Sequence, residues 1–132
     1  MVLLLRAVLL LGGLVFIIMG GSFLIDPMGQ GGSFGLEPRG NQGLSTIRAD
    51  FPAFFVVSGG ALIIGAWRQR GELLLITAVL MGIALTGRAL SLVLDGTYDG
   101  WPIPMAVETL TVVLALIGTR ILPRPTTSVP PL

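Results

Sequence analysis

The chain has 132 residues, of which 53% are hydrophobic and 11% charged, with a net charge of +1, whereas a soluble domain carries about 45–50% apolar and about 25% charged residues. So few charges cannot coat a water-facing surface, which excludes most soluble enzyme folds. Cys and His are absent and all 8 basic residues are Arg, so thiol, imidazole and Lys Schiff-base chemistry and the usual zinc and haem ligands are excluded, and no metal or cofactor is expected.

The first apolar block, at about 3–25, is broken only by Arg6, and at about 1.5 Å per residue it exceeds the roughly 30 Å of bilayer hydrocarbon. A secretory signal peptide is the rival reading, since Arg6 precedes the apolar stretch and Gly20, Gly21 and Ser22 are small. The apolar run is longer than a signal core of roughly 7–15 residues and further spans follow it, so a retained helix is expected. Residues 26–50 hold Gly29, Gly31, Gly32, Gly35, Gly40 and Gly43 with Pro27 and Pro38 between, a composition that reads as a flexible loop. The second span, at about 51–67, has Asp50 placed as its N-cap and Pro52 in its first turn, where a missing N–H is harmless. The third and fourth follow at about 73–94 and 104–122. The Pro-rich tail, 123–132, cannot continue a helix and reads as disordered. The expected fold class is all-α: an integral membrane four-helix bundle forming a single domain over 1–122.

Arg6, Arg68, Arg70, Arg120 and Arg124 belong to the termini and the short second turn, which share one side. Asp26, Glu37, Asp50, Asp95 and Asp99, with Arg39 and Arg48, occupy the other. The positive-inside rule then places both termini in the cytoplasm and the two longer loops outside. Trp67 falls near the inner boundary, and Tyr98 and Trp101 near the outer one.

In lipid, helices associate through close packing and polar contacts rather than through hydrophobicity. Small residues at four-residue spacing mark candidate packing flanks: Ala78, Gly82 and Thr86 on the third span, Thr111, Ala115 and Thr119 on the fourth. The first span carries Gly12, Gly13, Gly20 and Gly21, and the second Ser58, Gly59, Gly60 and Gly65. These spacings fit helix contacts or the general abundance of Gly in membrane helices.

Charges within the spans are more informative. Arg88 and Glu108 lie about 9 Å and about 6 Å below the outer boundary, at similar depth on antiparallel neighbours. At about 100° per residue, Thr77, Met81, Ala84, Arg88, Ser91 and Asp95 share one face, within an arc of about 80°. Glu108, Thr111, Ala115 and Thr119 do the same on the fourth span. A charge near mid-bilayer costs roughly 2.5–3.5 kcal/mol, so neither face should meet lipid, and an Arg88–Glu108 pair is the simplest solution. Asp26, Arg48, Asp50, Arg88, Asp95 and Glu108 are expected to converge at the outer end. Such a cluster is either an outward-facing pocket for a small ligand or proton, or an ion-paired plug that fixes helix register, the latter being favoured.

The motif Leu24, Ile25, Asp26, Pro27, the stretch Gly43-Leu44-Ser45-Thr46-Ile47-Arg48-Ala49-Asp50-Phe51, and Gly87-Arg88-Ala89-Leu90-Ser91 through Asp95-Gly96 and Glu108 resemble a bacterial four-helix membrane family, the domain of unknown function numbered four-three-four-five. The resemblance covers about 6–117, and Pro52 stands where Gly is expected. It implies a four-span inner-membrane protein with no assigned activity and, in architecture only, a likeness to the DoxX-type proteins. Its motif residues here are Asp26, Arg48, Asp50, Arg88 and Glu108.

The glycines at 29–35 miss the G-x-G-x-x-G spacing and follow a membrane helix rather than a strand, so they are no nucleotide cradle. Dispersed arginines exclude a nucleic-acid face, and no span is polar along its full length as a pore would need. Three classes remain. A structural or accessory component in the bilayer, beside a larger membrane complex or as a homo-oligomer, comes first. A carrier or binding protein for a small apolar or anionic ligand comes second, with Arg48 and Arg88 as anion partners. A membrane enzyme comes last, since only carboxylate acid/base chemistry by Glu108 and Asp50 is available to it.

Overall fold

The computed structural model describes residues 1–122, whose regular structure is all helical: α1 (Val2–Ile25), α2 (Pro27–Ser33), α3 (Gly40–Trp67), α4 (Gly71–Leu94) and α5 (Pro102–Ile121). The tail at 123–132, read above as disordered, lies outside the described residues. The helices α1, α3, α4 and α5, of 24, 28, 24 and 20 residues, are each long and apolar enough to cross a membrane. Their outward faces expose Leu11, Leu14 and Ile18 on α1, Val79 and Ile83 on α4, and Leu110 and Val113 on α5. A continuous apolar surface of this kind suits hydrocarbon, where helices also satisfy their own backbone groups. The chain is a multi-pass membrane protein.

The long helices alternate in direction. The longer connections, 26–39 and 95–101, lie at one end, here the connection end; the turn 68–70, the start of α1 and the end of α5 lie at the other, here called the termini end. Helix α1 packs along α3 and α4 along α5, with α3 against α4, while α1 and α5 touch only briefly.

Residues 26–50 are not the loop that their composition suggests. Asp26 caps α2, its Oδ1 accepting the Gly29 N–H at 3.0 Å, with Pro27 as the first helical residue. Helix α3 then begins at Gly40, ten residues ahead of Asp50. Asp50 is therefore inside the helix rather than its N-cap, and Pro52 is an interior proline that leaves the Arg48 carbonyl without its usual N–H donor. Packing explains the difference. Phe34 lies 5.3 Å from Phe23 and 6.0 Å from Phe51, ring centre to ring centre, and the side chain of buried Ile47 rests against the bare backbone of Gly31. Glycine weakens a helix by about 1 kcal/mol per residue relative to Ala, a preference that tertiary contacts override.

Two places bring backbones together. A β-carbon on Gly59 would stand 2.5 Å from the Gly13 carbonyl oxygen, so α1 and α3 meet main chain to main chain. Nearer the termini end, fully buried Leu74 of α4 fills the space left by Gly65 of α3 and Gly118 of α5, and Leu9 of α1 reaches Gly118 from the other side. All four spanning helices converge there. Thr77 adds a buried bond across α4 and α3, its hydroxyl donating to the Ser58 carbonyl at 2.7 Å.

Candidate functional site

Convergence at the termini end leaves the helices splayed at the connection end, where a cleft of about 970 Å³ opens between the α1/α3 and α4/α5 pairs. Its apolar wall is built by Phe16 and Met19 of α1, Phe51, Phe54 and Phe55 of α3, Met81 of α4, and Ile103 and Val107 of α5. The aromatic part is ordered from behind by Phe23, whose ring stacks on Phe51 at 4.7 Å and on Phe55 at 5.9 Å. Phe54 meets Phe55 edge-on at 5.2 Å. Such tilted and offset arrangements are the favoured ones for aromatic quadrupoles, so the wall is held in a defined shape.

Six polar side chains line the same cleft: Ser33, Asp50, Arg88, Tyr98, Asp99 and Glu108. Arg88 lies on the inward face of α4, the face that carries buried Thr77 and Met81. Its Nε donates to Glu108 Oε1 at 2.7 Å, joining α4 to α5. Glu108 is 6% exposed, and its second oxygen, Oε2, is buried without a hydrogen-bond partner. Glu108 thus lines the polar end of an apolar cleft with one carboxyl oxygen engaged and the other enclosed without a partner. A carboxylate so placed holds a donor group tightly, because in a site shielded from water its desolvation is otherwise uncompensated.

The other residues expected in the cluster serve helix ends. Arg48 donates from Nε to the Leu24 carbonyl at 3.2 Å, in the last turn of α1, and lines a separate open hollow of about 380 Å³ on α3 with Asn41 and Ser45. Asp26 caps α2, as above. Asp95, just past α4, accepts from the Ser91 hydroxyl at 2.6 Å. Arg6 does at the termini end what Arg48 does at the other, donating to the Ala66 carbonyl at 2.9 Å and the Trp67 carbonyl at 3.3 Å in the last turn of α3. A guanidinium at a helix C-terminus satisfies orphan carbonyls and complements the macrodipole.

Of the small-residue flanks, Ala78 and Ala115 are buried. Gly82 has open space where a side chain would stand. The hydroxyls of Thr86, Thr111 and Thr119 all return to carbonyls of their own helices. Sequence reasoning missed Tyr98 and Asp99, read as boundary and loop residues, and the wall of Phe51, Phe54 and Phe55, whose i, i+3, i+4 spacing was the available signal. Among the described residues, no three His, Cys, Asp or Glu side chains gather closely enough to hold a metal ion.

Among curated proteins and among solved structures, none matches the chain. A family model described as Domain of unknown function (DUF4345) matches residues 4–119. The match spans all four membrane helices together with the Arg88–Glu108 pair, and the chain belongs to that family.

Proposed function

We propose that this membrane protein binds a small amphipathic molecule in the cleft between its two helix pairs. The observation that carries this reading is Glu108, which lines a cleft of about 970 Å³ while its Oε2 is buried without a hydrogen-bond partner. The volume falls at the upper end of the roughly 300–1,000 Å³ of small-molecule sites, and the lining has their usual make-up, apolar and aromatic with a few convergent polar groups. A pair whose only role was to fix helix register would be expected to satisfy both carboxylate oxygens, since a half-satisfied buried pair is worse than none.

Arg6, Arg68, Arg70 and Arg120, with Glu72, lie at the termini end, and Asp26, Glu37, Asp50, Asp95 and Asp99, with Arg39 and Arg48, at the connection end. This asymmetry supports an inner-membrane orientation with the termini in the cytoplasm and the cleft facing the outer leaflet. A second reading, an accessory component of a larger complex or a homo-oligomer, is supported by the open flank of α4, where Gly82 and Gly87 meet nothing within 4 Å and backbones of another span would approach closely.

Native mass spectrometry of the protein released in mild detergent from its own membranes separates the two. The expected spectrum carries a fixed added mass of small-molecule size, diminished in Glu108→Gln. A stoichiometric second protein with no such mass would overturn binding in favour of the accessory reading.

A further inference from the structure

We infer that the cleft selects lipophilic amines, an apolar chain or ring headed by a protonated amino group, and rejects the corresponding carboxylates. This deepens the binding reading above and rests on it. The first argument is the acceptor. Glu108 lines the cleft while its Oε2 is buried and unpartnered and the Arg88 Nε is given to Oε1, so a hydrogen-bond donor entering the cleft would satisfy that oxygen once a turn of the side chain brought it to the cleft.

The second argument is charge. The lining carries three carboxylates, Asp50, Asp99 and Glu108, against the single guanidinium of Arg88. Arg48, the second cation that an anion site would need, donates to the end of α1 and lies on a different surface. An anion drawn to the remaining N–H groups of Arg88 would meet all three carboxylates, whereas an ammonium both supplies the absent donor and reduces the negative excess. The third argument is the wall: Phe51 and Phe54 line the same cleft as these carboxylates, and aromatic rings attract a cation that has left water. The ligand expected from sequence, apolar or anionic, is thereby narrowed on one side and reversed on the other.

The test uses the full chain in uncharged detergent micelles at pH 7 with octylamine, octan-1-ol and octanoate, following equilibrium binding and the thermal unfolding midpoint. The amine is protonated at that pH, and the alcohol of equal chain length controls for partitioning into the micelle. Octylamine is expected to bind about tenfold more tightly than octanol, which can donate a hydrogen bond but carries no charge, with octanoate weaker still, the difference expected of a positive charge beside carboxylates in a shielded site. Glu108→Gln should weaken octylamine about tenfold.

Because that variant alters a buried pair, a second is needed. Asp50→Asn with Asp99→Asn, both exposed, should leave folding unchanged and weaken octylamine relative to octanol by roughly threefold, an effect that fades with added salt. Octanoate binding as well as octylamine, or an amine preference unmoved in the double variant, would overturn the amine inference and leave the binding reading standing. Failure of all three probes to bind would overturn both.

Discussion

Arg88 and Glu108 join neighbouring spans, the guanidinium one-third exposed on the cleft and the carboxylate buried. Removing one partner leaves the other buried and unpaired, which costs about 3 kcal/mol in buried pairs of this kind, whereas removing both charges together costs far less. Arg88→Met is therefore expected to lower unfolding stability by about 3 kcal/mol. Arg88→Met combined with Glu108→Gln should recover more than half of that loss. Denaturation in mixed micelles, with Glu108→Gln alone completing the cycle, measures these losses, and a double-variant loss equal to the sum of the two single losses would show that the two side chains act independently. The pair was legible from sequence because a charge inside an apolar span has few tolerable neighbours, and helix geometry sets its depth and face. Asp26, Arg48 and Asp95 were not legible in the same way. They stand at helix ends, where unpaired backbone groups compete with any distant cluster for the side chain, and each is engaged locally, with Gly29, Leu24 and Ser91.

At the scale of the element, the junction of α3 and α4 is set by a few backbone bonds. The Arg70 N–H donates to the Gly65 carbonyl at 2.9 Å, and Gln69 between them has φ 52°, which is the closing turn of a helix that ends in a left-handed residue. A β-carbon there costs roughly 1 kcal/mol. Gln69→Gly should accordingly raise stability by about 1 kcal/mol, and Gln69→Val should lower it, both read from the unfolding midpoint; a loss in the glycine variant would mean that the Gln side chain outweighs the backbone strain. The same conformational freedom misleads at 26–50. Composition alone equates abundant Gly with a loop, but Gly31 is needed there as a bare surface for Ile47, and the contact that orders the segment, Phe34 against Phe23 and Phe51, is between residues far apart in sequence. The starts of α3 and of α2 were hidden for that reason, while the ends of the spans, marked by a change from apolar to charged residues, were read to within a few positions.

For the molecule as a whole, shape follows from where backbones approach. Glycine at 59 and 13 lets α1 and α3 touch along the middle of the membrane, and Leu74 between Gly65 and Gly118 draws α4 and α5 onto them at the termini end. Nothing comparable joins α1 to α5 at the connection end, where the facing side chains are the large ones of the cleft wall. The cleft is thus the consequence of an uneven distribution of close contacts. This predicts a sharp contrast between neighbouring glycines. In Gly59→Val the added atoms would fall on the Gly13 carbonyl, a rigid main-chain group, so α1 must move away from α3, at a cost of about 1–3 kcal/mol. Because α1 carries Phe16 and Met19 into the cleft, the displacement should also weaken ligand retention. Gly60→Ala, one residue along on the same helix, meets open space and should change stability by no more than about 0.5 kcal/mol. Unfolding midpoints of the two variants, with ligand retention measured by native mass spectrometry, check both effects; equal tolerance at 59 and 60 would mean that the α1–α3 contact does not set the opening of the cleft.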